Sequence, residues 1–188
     1  MSLGRRTWLR RWVAIGFAAA AVPALCLGAK PPGEYDVKAA FLYNLGKFVR
    51  WPPEALGETN APFVIGVLGG GPLTERLEAS LAGKTIQERP IVVKRSENVN
   101  ELLGCHVLYI APGSEADTSY VMSRLAGRPV LTVGEGAKFV SRGGMVGFVV
   151  ENRRLRFDIN IESARGAGLE ISSQVIRLAR NVLRKETS

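Results

Sequence analysis

Hydrophobic and polar positions alternate most regularly between Gly143 and Ala179. Leu155, Phe157, Ile159 and Ile161 interleave with Arg154, Arg156, Asp158 and Asn160. A period of two predicts a strand with one apolar and one polar face. The preceding run, Met145 to Val150, is apolar on both faces apart from Gly147, as expected of a central strand. The link Glu151-Asn152-Arg153 is short enough for a hairpin. After Asn160 the spacing turns helical through Ile171, Val175, Leu178, Ala179, Val182 and Leu183, which predicts an amphipathic closing helix.

The rest of the chain alternates short apolar runs with helical patterns. Val37, Phe41, Leu45 and Phe48 recur at helical spacing and predict a helix over Glu34 to Val49, ended by Trp51-Pro52-Pro53. A loop over Glu54 to Pro62 leads to a buried strand, Phe63 to Leu68. The turn Gly69-Gly70-Gly71-Pro72 opens a helix to about Ala82. Gly83 to Arg89 leads into a strand, Ile91 to Lys94, then a short helix over Glu97 to Leu103 and a strand over Val107 to Ile110. Ser114, with Asp117 three residues on, reads as the cap of a helix running to about Leu125. A strand over Val130 to Val133 and a helical turn carrying Phe139 complete the series.

Repeated strand–helix units predict a single three-layer α/β domain with a mainly parallel sheet, plus a C-terminal antiparallel hairpin and closing helix. There is no internal repeat or low-complexity tract.

The first residues read differently. Arg5, Arg6, Arg10 and Arg11 precede an apolar run from Trp12 to about Leu27 that Pro23 interrupts. That pattern predicts a cleaved secretory signal over 1–29, with the α/β domain occupying 30–188. Cleavage after Gly28 or Cys26 is an alternative to cleavage after Ala29. The run Arg5-Arg6-Thr7-Trp8-Leu9-Arg10 leaves the twin-arginine route open beside the general one. An uncleaved anchor fits poorly, because the apolar run is short. A lipoprotein at Cys26 also fits poorly after Pro23-Ala24-Leu25.

This changes the charge picture. Four of the 25 basic residues lie in the leader, which leaves 21 against 17 acidic residues and a net charge of +4. So mild and dispersed a charge does not suggest nucleic acid as a partner. The basic residues of the last helix, Arg177, Arg180, Arg184 and Lys185, fit a solvated helix end better than a face for anionic lipid. Loss of Cys26 with the leader leaves Cys105 alone, so no internal disulfide forms. A buried thiol at the start of a strand is the simplest reading, and an intermolecular bridge the sharper one.

A catalytic constellation is missing. The one histidine, His106, adjoins Cys105, and neighbours on a strand point to opposite faces. No Cys or His spacing suits a metal, no cofactor motif is present, and the Gly69–Gly71 turn lacks both GxGxxG and a Walker lysine. The runs Phe63 to Gly71 and Val107 to Ser114, where a receiver domain would carry its acidic pocket, hold no acid. The best site candidate is the polar row Arg154, Arg156, Asp158 and Asn160, in which Arg156 and Asp158 are spaced to pair, with Arg165 and Glu170 following. A solvated sheet face is the plain alternative. The aromatic helix, with Phe48 and Trp51 at its end, is the second candidate, for a partner.

At these residues the chain resembles the YfiR family of exported bacterial proteins. The resemblance covers nearly all of the chain after the leader. It rests on Tyr35 and Val37-Lys38-Ala39-Ala40-Phe41-Leu42-Tyr43-Asn44, then Lys47-Phe48-Val49 and Trp51-Pro52. Ile65-Gly66-Val67-Leu68-Gly69, Cys105 ahead of Leu108-Tyr109-Ile110, and Val130-Leu131-Thr132-Val133-Gly134 continue it. It is densest in Gly143-Gly144-Met145, Leu155-Arg156-Phe157, Ile159-Asn160, Ala167-Gly168-Leu169 and Ile171-Ser172-Ser173.

The resemblance implies a periplasmic regulator rather than an enzyme. The family's namesake restrains a membrane-bound diguanylate cyclase through the cyclase's periplasmic part. Release of that restraint raises cyclic di-GMP and favours biofilm, and an OmpA-like outer-membrane lipoprotein can sequester the repressor. A homodimer is compatible with such a role. The internal disulfides of some relatives cannot form here. Two other classes stand beside this one. One is a periplasmic small-molecule sensor, holding an anion on the arginines of the last strand, with a different membrane signalling partner. The other is a hydrolase, for which no nucleophile and base are offered.

Overall fold

The computed structural model describes residues 33–114 and 117–184. The expected signal at 1–29 lies outside the described residues, as does Lys185. Helix α1 (Glu34–Phe48) leads into β1 (Val49–Arg50) and a short helix α2 (Pro53–Leu56). There follow β2 (Phe63–Leu68), α3 (Pro72–Leu81), β3 (Thr85–Ile86), β4 (Arg89–Ser96), a 3-10 turn (Val99–Leu102), β5 (Val107–Ile110), α4 (Thr118–Leu125), β6 (Leu131–Glu135) and α5 (Ala137–Ser141). The chain closes with β7 (Val146–Glu151), β8 (Arg154–Asn160), α6 (Ile161–Gly166), β9 (Glu170–Ile171), α7 (Ser173–Leu178) and β10 (Asn181–Leu183).

Eight strands form one sheet in the order β10-β8-β7-β6-β5-β2-β4-β3. All neighbours are parallel except β7 with β8 and β3 with β4. This is the mainly parallel α/β sheet with a C-terminal hairpin that the periodicity predicts. The central strands are buried on both faces, which is why they read as unbroken apolar runs. Phe63, Ile65 and Val67 of β2 join α1, α3, α6 and α7 in one core cluster. Val64 and Leu68 of the same strand join the 3-10 turn, α4 and α5 in the other. Both hairpins turn on two residues in the left-handed region, Gln87-Glu88 and Asn152-Arg153. Two-residue turns of that hand match the strand twist.

The structure departs from the periodicity in four places. The expected closing helix is split. Ile171 belongs to β9, which pairs with β1, α7 ends at Leu178, and Asn181–Leu183 becomes the edge strand β10 beside β8. The edge of β8 would otherwise leave backbone groups unpaired. Arg180 N–H instead donates to the Phe157 carbonyl at 2.8 Å, and short apolar runs satisfy helix and strand periods alike. The cap of α4 is Asp117, whose Oδ1 accepts from the Ser119 N–H, rather than Ser114. The segment Glu97 to Leu103 tightens into a 3-10 turn, and α2 and β3 occupy stretches read as loop and lead-in. Finally, α1 buries Lys38, Ala39, Leu42, Leu45 and Gly46. The stripe through Val37 and Phe41 is only half-buried, and Phe48 is exposed.

One wedge explains two glycine motifs. The Phe139 ring of α5 lies where a Cβ on Gly144 would fall 2.2 Å from it and a Cβ on Gly134 2.6 Å from it. Only glycine at both positions lets the aromatic ring seat against the end of the sheet.

Candidate interaction surface

The end of α1 carries the first candidate, and a small ribbon positions it. β1 and β9 pair outside the main sheet, Val49 with Ile171 and Arg50 with Glu170. The Ser172 N–H donates to the Phe48 carbonyl at 3.0 Å. Ser172 Oγ then caps α7 by accepting from the Gln174 N–H. The ribbon thus sets α7 against α1. Between the two helices lies an apolar pocket of about 220 Å³ lined by Phe41, Leu45, Phe48, Phe157, Val175 and Leu178, with Asn44 at its edge. Phe48 is 41% exposed and Leu178 68%, the highest exposure of any large apolar side chain among the described residues. Phe48 also borders an open polar cleft of about 640 Å³ whose walls include Lys47, Arg50, Gln87, Glu170 and Ser173. An apolar centre with a polar rim is the anatomy of a protein-binding site.

Trp51 supports this surface from behind and does not form part of it. The indole is buried, edge-to-face on Phe63 at 5.1 Å, so its reading as an exposed partner contact is corrected. Phe63 and His106 stack on each other beside it at 4.5 Å. His106 is a satisfied core residue. Its Nδ1 accepts from the Val64 N–H at 2.9 Å, which leaves Nε2 to donate to the Ala55 carbonyl at 3.1 Å. Burial lowers its pKa, and the neighbouring Arg89 charge acts the same way. Cys105 turns to the opposite face, into the second core cluster. It is a buried free thiol whose pKa burial pushes up to about 12, so it is poorly suited to nucleophilic work.

The polar row of β8 divides in two. Asp158 does not pair with Arg156. It is buried and held by Arg180, whose Nε and Nη2 donate at 2.9 and 2.7 Å, with Asn181 Nδ2 adding a third bond at 3.2 Å. Arg180 therefore does not serve as the solvated helix end its position suggests. Asn160 is structural too. Its Oδ1 caps α6 by accepting from the Ser163 N–H, and its Nδ2 donates to the Val140 carbonyl. Arg165 pairs with Glu162 on the surface at 3.2 Å and Glu170 with Arg50 at 2.9 Å, so neither joins the row. Arg154 and Arg156 remain exposed.

A further cluster has no sequence signal because its members come from three separate elements. Lys38, 4% exposed, reaches Glu34 at 2.6 Å and Glu135 at 2.8 Å, and Tyr109 donates to the same Glu135 oxygen at 2.5 Å. Burial pulls the Lys38 pKa down, but its bonds to Glu135 and Glu34 together raise it above the ordinary value. The cluster fastens α1 to the ends of β5 and β6. Among the described residues no group of three or more His, Cys, Asp or Glu is placed to hold a metal, and no helix is long and apolar enough to cross a membrane.

The pattern of one known family, described as YfiR/HmsC-like, matches residues 35–180. The chain belongs to that family. YfiR/HmsC-like proteins are regulatory, and the match spans the ribbon, both helices of the apolar pocket and the whole of β8. Among solved structures, a conserved domain protein from Vibrio cholerae O1 biovar El Tor superposes with a TM-score of 0.57 at 13% identity, over 80% of this chain and 60% of that one. At that identity the likeness is one of fold. The ABC domain from Streptococcus pneumoniae, solved in complex with L-Trp, gives a TM-score of 0.41 at 13% identity, over 76% of this chain and 62% of that one. The chain thus spans about three-fifths of the length of each of these two solved chains.

Proposed function

We propose that this YfiR/HmsC-like chain acts in the periplasm as a regulator, binding the extracytoplasmic part of a membrane-bound diguanylate cyclase and favouring its inactive state. Cyclic di-GMP, and with it biofilm formation, then rises when the restraint is lifted. The family match over residues 35–180 carries the reading. The exposed Phe48 and Leu178 at the α1–α7 pocket supply a surface of the right character. Regulation by binding needs only a difference in affinity for the partner's two states. No reacting group is asked of the protein. Deleting the gene in a host that expresses the cyclase is expected to raise cyclic di-GMP, and restoring it to lower the level again. An unchanged level in the deletion strain contradicts the proposal.

A further inference from the structure

The face of the sheet opposite α1 is covered only in part. On β7 and β8, α5 packs at the end marked by Gly147, where an added Cβ would meet the Gly136 carbonyl at 2.9 Å, and by Asn160. Beyond it, Arg154 and Arg156 stand on the open part of that face. With Glu151 and Asn152 they line a concave cavity of about 390 Å³. In the sequence this row reads as self-neutralising, but Asp158 has been claimed by Arg180. Glu151 also inclines to Arg180, at 3.8 Å.

Among the described residues, neither Arg154 nor Arg156 has a carboxylate within 4.0 Å; Arg89, Arg124, Arg128, Arg142, Arg153, Arg177 and Arg184 share that property, but Arg154 and Arg156 also line one cavity together. Two residues apart on one strand face, their Cα atoms are roughly 7 Å apart. Two planar guanidinium forks at that spacing suit a ligand with carboxylate or phosphate oxygens.

We propose that this cavity is a binding site for a small soluble oxyanion, a carboxylate or a phosphate, held by Arg154 and Arg156. Its concave shape fits a solute better than the flat surface of a bilayer. The site also has a route to the α1–α7 pocket. Arg180 lies two residues beyond Leu178 and is held by Asp158, and Glu151, which lines the cavity, stands 3.8 Å from it, so an anion in the cavity sits beside a neighbour of the residue that anchors the end of α7. That coupling rests on the regulatory reading above; the binding does not.

Titration of the purified protein with inorganic pyrophosphate, at constant ionic strength and followed by amide NMR, tests the site. The expected result is saturable shifts at residues 149–156 and 178–181, with binding weakened about tenfold or more in Arg154→Gln/Arg156→Gln. The thermal midpoint of that variant should stay within about 1 °C of wild type, since both side chains are exposed. A parallel titration with succinate separates carboxylate from phosphate preference. Non-saturating shifts that are the same in wild type and variant for both anions overturn the proposal. Binding to vesicles of anionic phospholipid with no response to either soluble anion overturns it too. Neither readout involves the cyclase, so failure here leaves the regulatory reading standing.

Discussion

Arg180 grips Asp158 with two parallel hydrogen bonds, 2.9 and 2.7 Å long, across the seam where α7 gives way to β10. The pair joins the two candidate surfaces. Asp158 lies on the face that carries Arg154 and Arg156, and Arg180 follows the helix that carries Leu178. The segment that leaves the helix thus meets two demands at once, a partner for a buried carboxylate and a neighbour for the open edge of β8.

Asp158→Ala removes three hydrogen bonds to a buried carboxylate and is expected to cost about 2 kcal/mol. For a domain of this size that is a fall of about 6 °C in the thermal midpoint. A double-mutant cycle separates the partners. Asp158 and Arg180 should couple strongly, while Asp158 and Arg156 should be additive to within about 0.5 kcal/mol.

The buried imidazole predicts an acid-side loss of stability. Burial, helped by the nearby Arg89 charge, keeps His106 neutral in the folded protein, with a pKa below its ordinary 6.5. As pH falls below 6.5 the unfolded chain takes up a proton that the folded chain refuses, so unfolding is favoured. This contribution is complete above 6.5 and is lost as pH drops from there toward the folded pKa. In His106→Asn, denaturant melts across pH 5 to 7.5 should show a shallower slope and a lower plateau.

Cys105 should be silent in the native state. A thiol with a pKa near 12 inside the second core cluster presents little thiolate and no access. A colorimetric thiol reagent at pH 8 is expected to leave native protein unmodified and to label Cys105 once guanidinium is added. Prompt labelling without denaturant would contradict this placement.

Gly144→Ala tests the Phe139 wedge. The new methyl would fall 2.2 Å from the ring, too near for a small adjustment. Overpacking of this kind costs about 1–3 kcal/mol. Phe139→Leu in the same background should recover part of the loss, whereas it destabilises the wild-type protein.

The parts legible in the sequence were those where one physical demand acted alone. β2 and β5 are buried on both faces, and their apolar runs mark their limits to the residue. The β7–β8 hairpin follows from strict alternation and a short link. The pattern was ambiguous where two demands competed. Val182 and Leu183 fit a helix by spacing, yet the open edge of β8 drew them into a strand. Phe41 and Phe48 are larger than Ala39 and Leu42, yet Ala39 and Leu42 are the fully buried pair, while Phe41 packs edge-on against Phe148 and Phe157 at the rim of the core and Phe48 stays exposed. Of the candidate site residues, Phe48, Arg154 and Arg156 stand exposed, while Trp51, Asp158 and Asn160 are occupied structurally. Partners such as Lys38 with Glu135, or Asp158 with Arg180, come from separate elements and leave no mark in local spacing.

The most direct test is the affinity of the purified protein for the periplasmic domain of the membrane diguanylate cyclase of its host, compared with that of Leu178→Asp and Phe48→Asp. Wild type is expected to bind, and a charge placed at either centre of the apolar pocket to weaken binding about 30-fold or more with the fold intact by thermal melt. No binding by wild type, or binding by both variants as tight as wild type, would contradict the account.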